Sequence, residues 1–170
     1  MTEHQAIIDC GTRYHWLTDA SELPLERAMY KHILIATDGS ELAGKAVAAG
    51  LALAKRLGAK VTAVTAIEPW PMIVSSDTAA AFIAYQKVAE QDAVRILDEV
   101  GTTAQEHAVQ CETVTVTGSA AEAIIETANS RQCDLIIMSS HGRRGLARVV
   151  LGSQATRVLT LSSLPVLICK

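Results

Sequence analysis

No apolar run in the 170-residue sequence approaches the roughly 18 residues that a membrane helix needs, so no membrane partner is expected. There is no Cys-x-x-Cys pair either. Cys10, Cys111, Cys133 and Cys169 are scattered, with no histidine at ligand spacing beside them, which argues against a zinc or redox site and for reduced, mostly buried thiols. Strong overall charge is also missing: a formal net charge of −3 does not suit a general nucleic-acid binder, and a single soluble cytosolic domain is the expectation. Acidic residues are absent from Leu135 to Lys170, which holds five bases, Arg143, Arg144, Arg148, Arg157 and Lys170. The remainder therefore carries 10 bases against 18 acids, or −8. The local positive excess surrounds a glycine-rich stretch, a combination that suits an anionic ligand.

Residues 1 to 28 show no sustained helical or strand period and none of the charged and apolar regions of a signal peptide. They read as an N-terminal extension. Two forms of it stay open: a disordered addition ahead of a natural start at Met29, or an arm packed on the domain through Tyr14, Trp16 and Leu17. From residue 29 to 170 the pattern alternates. HILIAT (32–37) predicts a strand, and ELAGKAVAAGLALAKRLG predicts a helix with Leu42, Ala46, Ala49, Leu53 and Leu57 at helical spacing and Gly58 as its stop. KVTAVTAI (60–67) predicts a second strand broken by Pro69 and Pro71. A long helix follows over about 78 to 100, with Val88, Ile96, Leu97 and Val100 on its buried side. CETVTVT (111–117) is the third strand. The next helix opens at Ser119 with Glu122 as capping-box partner, and DLIIMS is a fourth strand apolar enough for burial on both faces. A last helix over 153–161 and the strand PVLIC complete the series. Five strands separated by helices predict a three-layer, doubly wound α/β fold around a five-stranded parallel sheet, with ligands at the carboxyl ends of the strands.

Backbone N–H groups can approach phosphate oxygens only where side chains are small, and a helix start adds a favourable dipole. Gly142 offers an open turn, and Gly152 and Ser153 stand where the last helix begins. Ser153 is placed to cap that helix or to donate its hydroxyl to a phosphate. A purely structural role for these residues, a shaped loop and a cap, fits the spacing equally well. GSELAGKA (39–46) nearly matches the P-loop pattern, but Ala46 replaces the magnesium-binding hydroxyl and the segment reads as ordinary helix. His141 lies beside the loop with no carboxylate or nucleophile positioned to work with it, so it reads as loop-shaping and no enzyme is expected.

KHILIATDGSELAGKAV, DLIIMSSHGRRGLARVVLGS and SSLPVLICK together resemble the universal stress protein family, from Met29 to Lys170. Its ATP-binding branch carries G-x-x-G-x9-G-[ST] after the fourth strand. Gly142, Gly152 and Ser153 match, and Ser139 replaces the first glycine. The resemblance implies a Rossmann-like fold of the adenine nucleotide alpha hydrolase type and a stress-response role. It also implies ATP with magnesium or manganese as ligand. Asp38 would face the ribose or adenine edge, with Thr37 beside it among the nucleotide-binding residues, the Ala66 backbone would meet adenine, and Gly118, Met138 and Ser139 would line the sugar side. Gly142, Gly152, Ser153 and the N–H of Gln154 would hold the phosphates, the metal lying between phosphate oxygens. Read from the residues alone, Asp38 is a turn residue in TDGS. Slow hydrolysis or autophosphorylation is the most chemistry the resemblance implies. Two other readings are a non-nucleotide interaction module of the same family and a pyrophosphatase-type synthetase. The synthetase needs an S-G-G-x-D-S loop that ATDGSE lacks. The resemblance further implies a homodimer through the last strand, Pro165, Val166, Leu167, Ile168 and Cys169. That strand falls on the sheet edge, where Pro165 removes one donor and a proline at Leu167 would remove another.

Overall fold

A computed structural model describes residues 30–69, 79–143 and 151–170. Residues 1 to 28, and with them the question of the extension, lie outside the described residues, as do Arg144, Gly145 and Arg148. The elements alternate as β1 (His32–Ala36), α1 (Glu41–Leu57), β2 (Lys60–Ile67), α2 (Ala79–Glu106), β3 (Cys111–Thr117), α3 (Ala120–Ser130), β4 (Leu135–Ser139), α4 (Ser153–Leu161) and β5 (Val166–Cys169). The sheet is wholly parallel, in the order β3-β2-β1-β4-β5. β1 and β4 are buried along their whole length, as their unbroken apolar runs predict. Alternate residues of each strand face opposite layers. Ile33, Ile35, Val61, Ala63 and Ile137 pack against α1 and α2. Leu34, Val64, Ile136 and Met138 pack against α3 and α4.

Local chemistry explains the helix limits. Ser40 caps α1 by accepting from the Ala43 N–H, and Gly58 ends it in the left-handed region at φ 65°. The near P-loop is surface helix, with Gly44 open to solvent and Lys45 paired to Glu41 at 3.4 Å.

Four expectations need correction. The buried stripe of α1 is Ala43, Ala46, Val47, Gly50, Leu51 and Ala54, so Ala49 points outward and small residues let the helix approach the sheet. α2 runs six residues beyond 100, and its buried face starts only at Ala93, leaving Val88 64% exposed. The capping box of α3 does not form. Ser119 makes no side-chain cap bond, while Arg157 of α4 donates to Ser119 Oγ at 3.3 Å and to Glu122 Oε1 at 3.0 Å. Of the described thiols only Cys133 is buried, its pKa pushed up to about 11 by that burial; Cys111 and Cys169 are half-buried.

At the amino end of the sheet, His32 is buried and its Nε2 lies 2.8 Å from Thr62 Oγ1, while Nδ1 has no partner among the described residues. Burial first, then the charge of Lys60, lowers its pKa below the ordinary 6.5. The folded state therefore resists protonation that the unfolded chain accepts. Stability from this group is fully present above pH 6.5, declines as pH falls below that value, and levels off below the folded-state pKa. Thermal melts on either side of pH 6.5 are expected to show the decline, and His32→Gln is expected to flatten it. Equal slopes in both proteins would assign the proton uptake to another group.

Candidate functional site

Strand order reverses between β1 and β4, so the chain leaves their carboxyl ends in opposite directions and opens a crevice there. A cleft of about 790 Å³ occupies this position, within the usual range for small-molecule sites. Thr37, Asp38, Ala66, Met138, Ser139, Gly142, Gly152, Ser153 and Gln154 all line it. Gly118 does not: its N–H donates to the Ile67 carbonyl at 3.0 Å, and Ala120 is the nearest residue of that segment on the wall.

The β1 end is tied down residue by residue. Thr37 donates its N–H to Val64 O and accepts on its carbonyl from the Thr65 hydroxyl at 2.9 Å. Asp38 Oδ1 accepts from the Ser40 N–H at 3.0 Å, closing a side-chain turn, and Oδ2 accepts from the Arg143 N–H at 2.6 Å. The carboxylate thus serves the turn read from TDGS and also anchors the loop after β4. Gly142 is required by that anchor, since a Cβ there would lie 2.6 Å from Asp38 Oδ2. Gly39 adopts φ 74°, and a Cβ on it would meet Ile96 at 2.7 Å.

The loop after β4 is closed at its base. Gly152 donates its N–H to the Ser140 carbonyl at 2.9 Å, and Ser140 donates to Cys169 O. Gly152, not Ser153, is the N-cap residue of α4, and its N–H is engaged by the loop and so unavailable to a ligand. The first intrahelical bond of α4 runs from the Thr156 N–H to Gly152 O. Among the described residues this leaves the N–H groups of Ser153, Gln154 and Ala155 without acceptors, at the rim of the cleft. The Gln154 side chain turns away to the neighbouring helix, where Oε1 accepts from the Ala121 N–H at 3.1 Å. Ser139 is buried, and its hydroxyl donates to the His141 carbonyl at 2.7 Å. His141 Nδ1 lies 3.1 Å from Ser140 Oγ, in keeping with a loop-shaping part.

α2 supplies a wall that sequence reasoning missed. Tyr85, Val88, Ala89 and Asp92 face the cleft from the part of the helix that precedes its buried stretch. Asp92 Oδ2 accepts from Arg143 Nη1 at 2.5 Å and Oδ1 from Arg95 at 2.6 Å. Those hydrogen bonds, Arg143's foremost, hold its carboxyl below the usual carboxylate range. The available signal was Val88, an apolar residue ahead of the regular buried spacing. Among the described residues no group of three metal-ligating side chains converges, and no helix is long and apolar enough to cross a membrane.

Comparison with known proteins agrees with this architecture. The model of the universal stress protein family matches residues 29–170. A universal stress protein of Methanocaldococcus jannaschii is 32% identical over 142 residues, covering 84% of this chain and 83% of its own. The structure of universal stress protein UspA from Lactobacillus plantarum superposes with a TM-score of 0.73 at 21% identity, covering 84% of this chain and 99% of that one. A universal stress protein solved in complex with cAMP superposes with a TM-score of 0.63 at 25% identity, covering 83% and 97%.

Proposed function

This chain belongs to the universal stress protein family, and from that premise we propose that its cleft binds an adenine nucleotide, ATP with magnesium or manganese, as the switch of a stress-response regulatory module. The observation that carries the reading is the trio of N–H groups at Ser153, Gln154 and Ala155, without acceptors among the described residues, at the start of a helix that lines a nucleotide-sized cleft together with Gly142. A phosphate there accepts from backbone and gains the dipole of α4. The relative solved in complex with cAMP supports an adenine ligand. Adenine sits towards Ala66, and the sugar lies near Thr37, Asp38, Met138 and Ser139. A divalent ion would be carried by the nucleotide itself and would supply charge neutralisation, since among the described residues no three metal-ligating side chains converge. Ser139 departs from the ATP-binding motif, yet its hydroxyl is engaged by His141 O and leaves the Gly142 turn in place. The protein acts by altering its surface with nucleotide state, with no catalytic step assigned to it, and it works in the cytoplasm. Calorimetry with ATP and magnesium tests the reading. The absence of both heat and a melting-temperature shift at millimolar nucleotide overturns it.

A second reading, an interaction module working through dimer formation, is favoured by β5. Among the described residues this edge strand is uncovered on one side and exposes Leu167. Pro165 O and Cys169 O accept from β4, so by alternation Leu167 also bonds inward, and Val166 and Ile168 present their backbone outward. The missing donor of Pro165 therefore faces β4, and a proline at Leu167 would break the sheet itself. Ile168→Pro is the informative change. It is expected to shift a sedimenting dimer to monomer with the sheet intact. A dimer that persists would place the contact elsewhere.

A further inference from the structure

Among the described residues lining the cleft, two carboxylates, Asp38 and Asp92, both hold Arg143. Each repels a ligand that carries several phosphate charges, and the Arg143 guanidinium offsets that repulsion where it turns towards the ligand. Arg143 is held at two points. Its N–H is fixed on Asp38 Oδ2, which places its Cα at the phosphate end of the cleft, directly after Gly142. Its guanidinium is carried to the opposite wall, onto Asp92 of α2.

We infer that Asp92 and Arg143 form a charge-counting pair: Asp92 retains the guanidinium until a polyphosphate takes it over, so the pair sets the preference for polyphosphate over uncharged adenine ligands. The inference rests on the adenine-nucleotide reading of the cleft and adds its selectivity. Three features of the geometry support an exchange. The pair is partly hydrated, with side chains 46% and 32% exposed, so opening it changes an equilibrium constant by no more than about fivefold. Asp92 keeps a partner when Arg143 leaves, because Arg95 remains on Oδ1 and is itself braced by Glu99 at 2.6 Å. Finally, a guanidinium binds phosphate through two parallel N–H donors, a better match than the single bond it makes to Asp92. Adenosine offers no such exchange, and a monophosphate lying on the α4 start leaves the pair closed.

A double-mutant cycle read by calorimetry with ATP and with adenosine tests this, each variant being checked for an unchanged melting curve. Asp92→Asn, nearly isosteric, is expected to raise ATP affinity about fivefold and to leave adenosine affinity within about twofold. Arg143→Gln is expected to weaken ATP, and in that background Asp92→Asn should bring about twofold at most, the relief of one repulsive charge. A gain that stays undiminished without Arg143, or that is equal for adenosine, overturns the pair and leaves the nucleotide site standing. Failure of every protein in the cycle to bind either ligand overturns the nucleotide reading itself, and the inference with it.

Discussion

Gly152→Val is expected to lower affinity for ATP by about two orders of magnitude, the worth of two charge-assisted hydrogen bonds at roughly 1.5 kcal/mol each. The cause lies in the backbone. A Cβ at residue 152 would sit 3.0 Å from the Ser140 carbonyl and 3.5 Å from the His141 Cα, on the segment to which Gly152 is hydrogen-bonded. A β-branched side chain must push these two stretches apart, and the start of α4 moves with residue 152. The N–H groups of Ser153 and Gln154 then lose their aim. The fold survives, since the contact is at the rim of the sheet and the apolar layers beneath are untouched. Gly44→Ala is the control: nothing lies within 4 Å of its Cβ, so binding is expected to be unaltered and the helix slightly more stable. Wild-type affinity in the valine variant would move the phosphate site away from α4.

The largest effect on stability is expected at Gly50, on the buried face of α1. A Cβ there would lie 2.5 Å from Ile35 Cδ1 and 3.5 Å from Ile137 Cδ1, and both isoleucines are wholly buried on the central strands. Gly50→Val therefore overpacks a close contact between α1 and the sheet. It is expected to cost about 2 to 3 kcal/mol and to lower the melting temperature by roughly 5 to 10 °C. Adding Ile35→Val deletes the colliding Cδ1 and is expected to restore part of the loss. A valine variant that melts with wild type would show that α1 can lift off the sheet without cost.

The strands and their order of appearance were legible because their apolar runs are short and bounded by glycine, proline or capping residues. The helix faces were less so. In α1 the stripe of leucines at helical spacing suggested one face, but the close approach of helix to sheet selects alanine and glycine for burial, and Leu42, Leu53 and Leu57 lie at its margins. Val88 was assigned to the core because its side chain is apolar, although the sheet does not reach that far along α2. In the site, the motif spacing located Gly142, Gly152 and Ser153 at the cleft. It could not tell which N–H groups were already paired, because the bond from Gly152 to Ser140 depends on where β4 ends. The two tasks of Asp38 were half visible. The turn is local, whereas its bond to Arg143 spans 105 residues and leaves no trace in local pattern. Asp92 was missed for the same reason.

The central position of β1 also sets a timetable. Its neighbour β2 follows within 30 residues, but β4, on its other side, lies about a hundred residues downstream. During synthesis the half-sheet β3-β2-β1 is complete at Thr117, before β4 has been made, and at about 5 to 20 residues per second the 22 residues from Thr117 to Ser139 take roughly 1 to 4 seconds. Throughout that interval α1 has only part of its seat. Leu135, Ile137 and Cys169, which share its apolar layer, do not yet exist, and the flank of β1 presents an unpaired edge. The nascent chain is most exposed to mispairing and to chaperone capture in this window, which closes when β4 slots in beside β1.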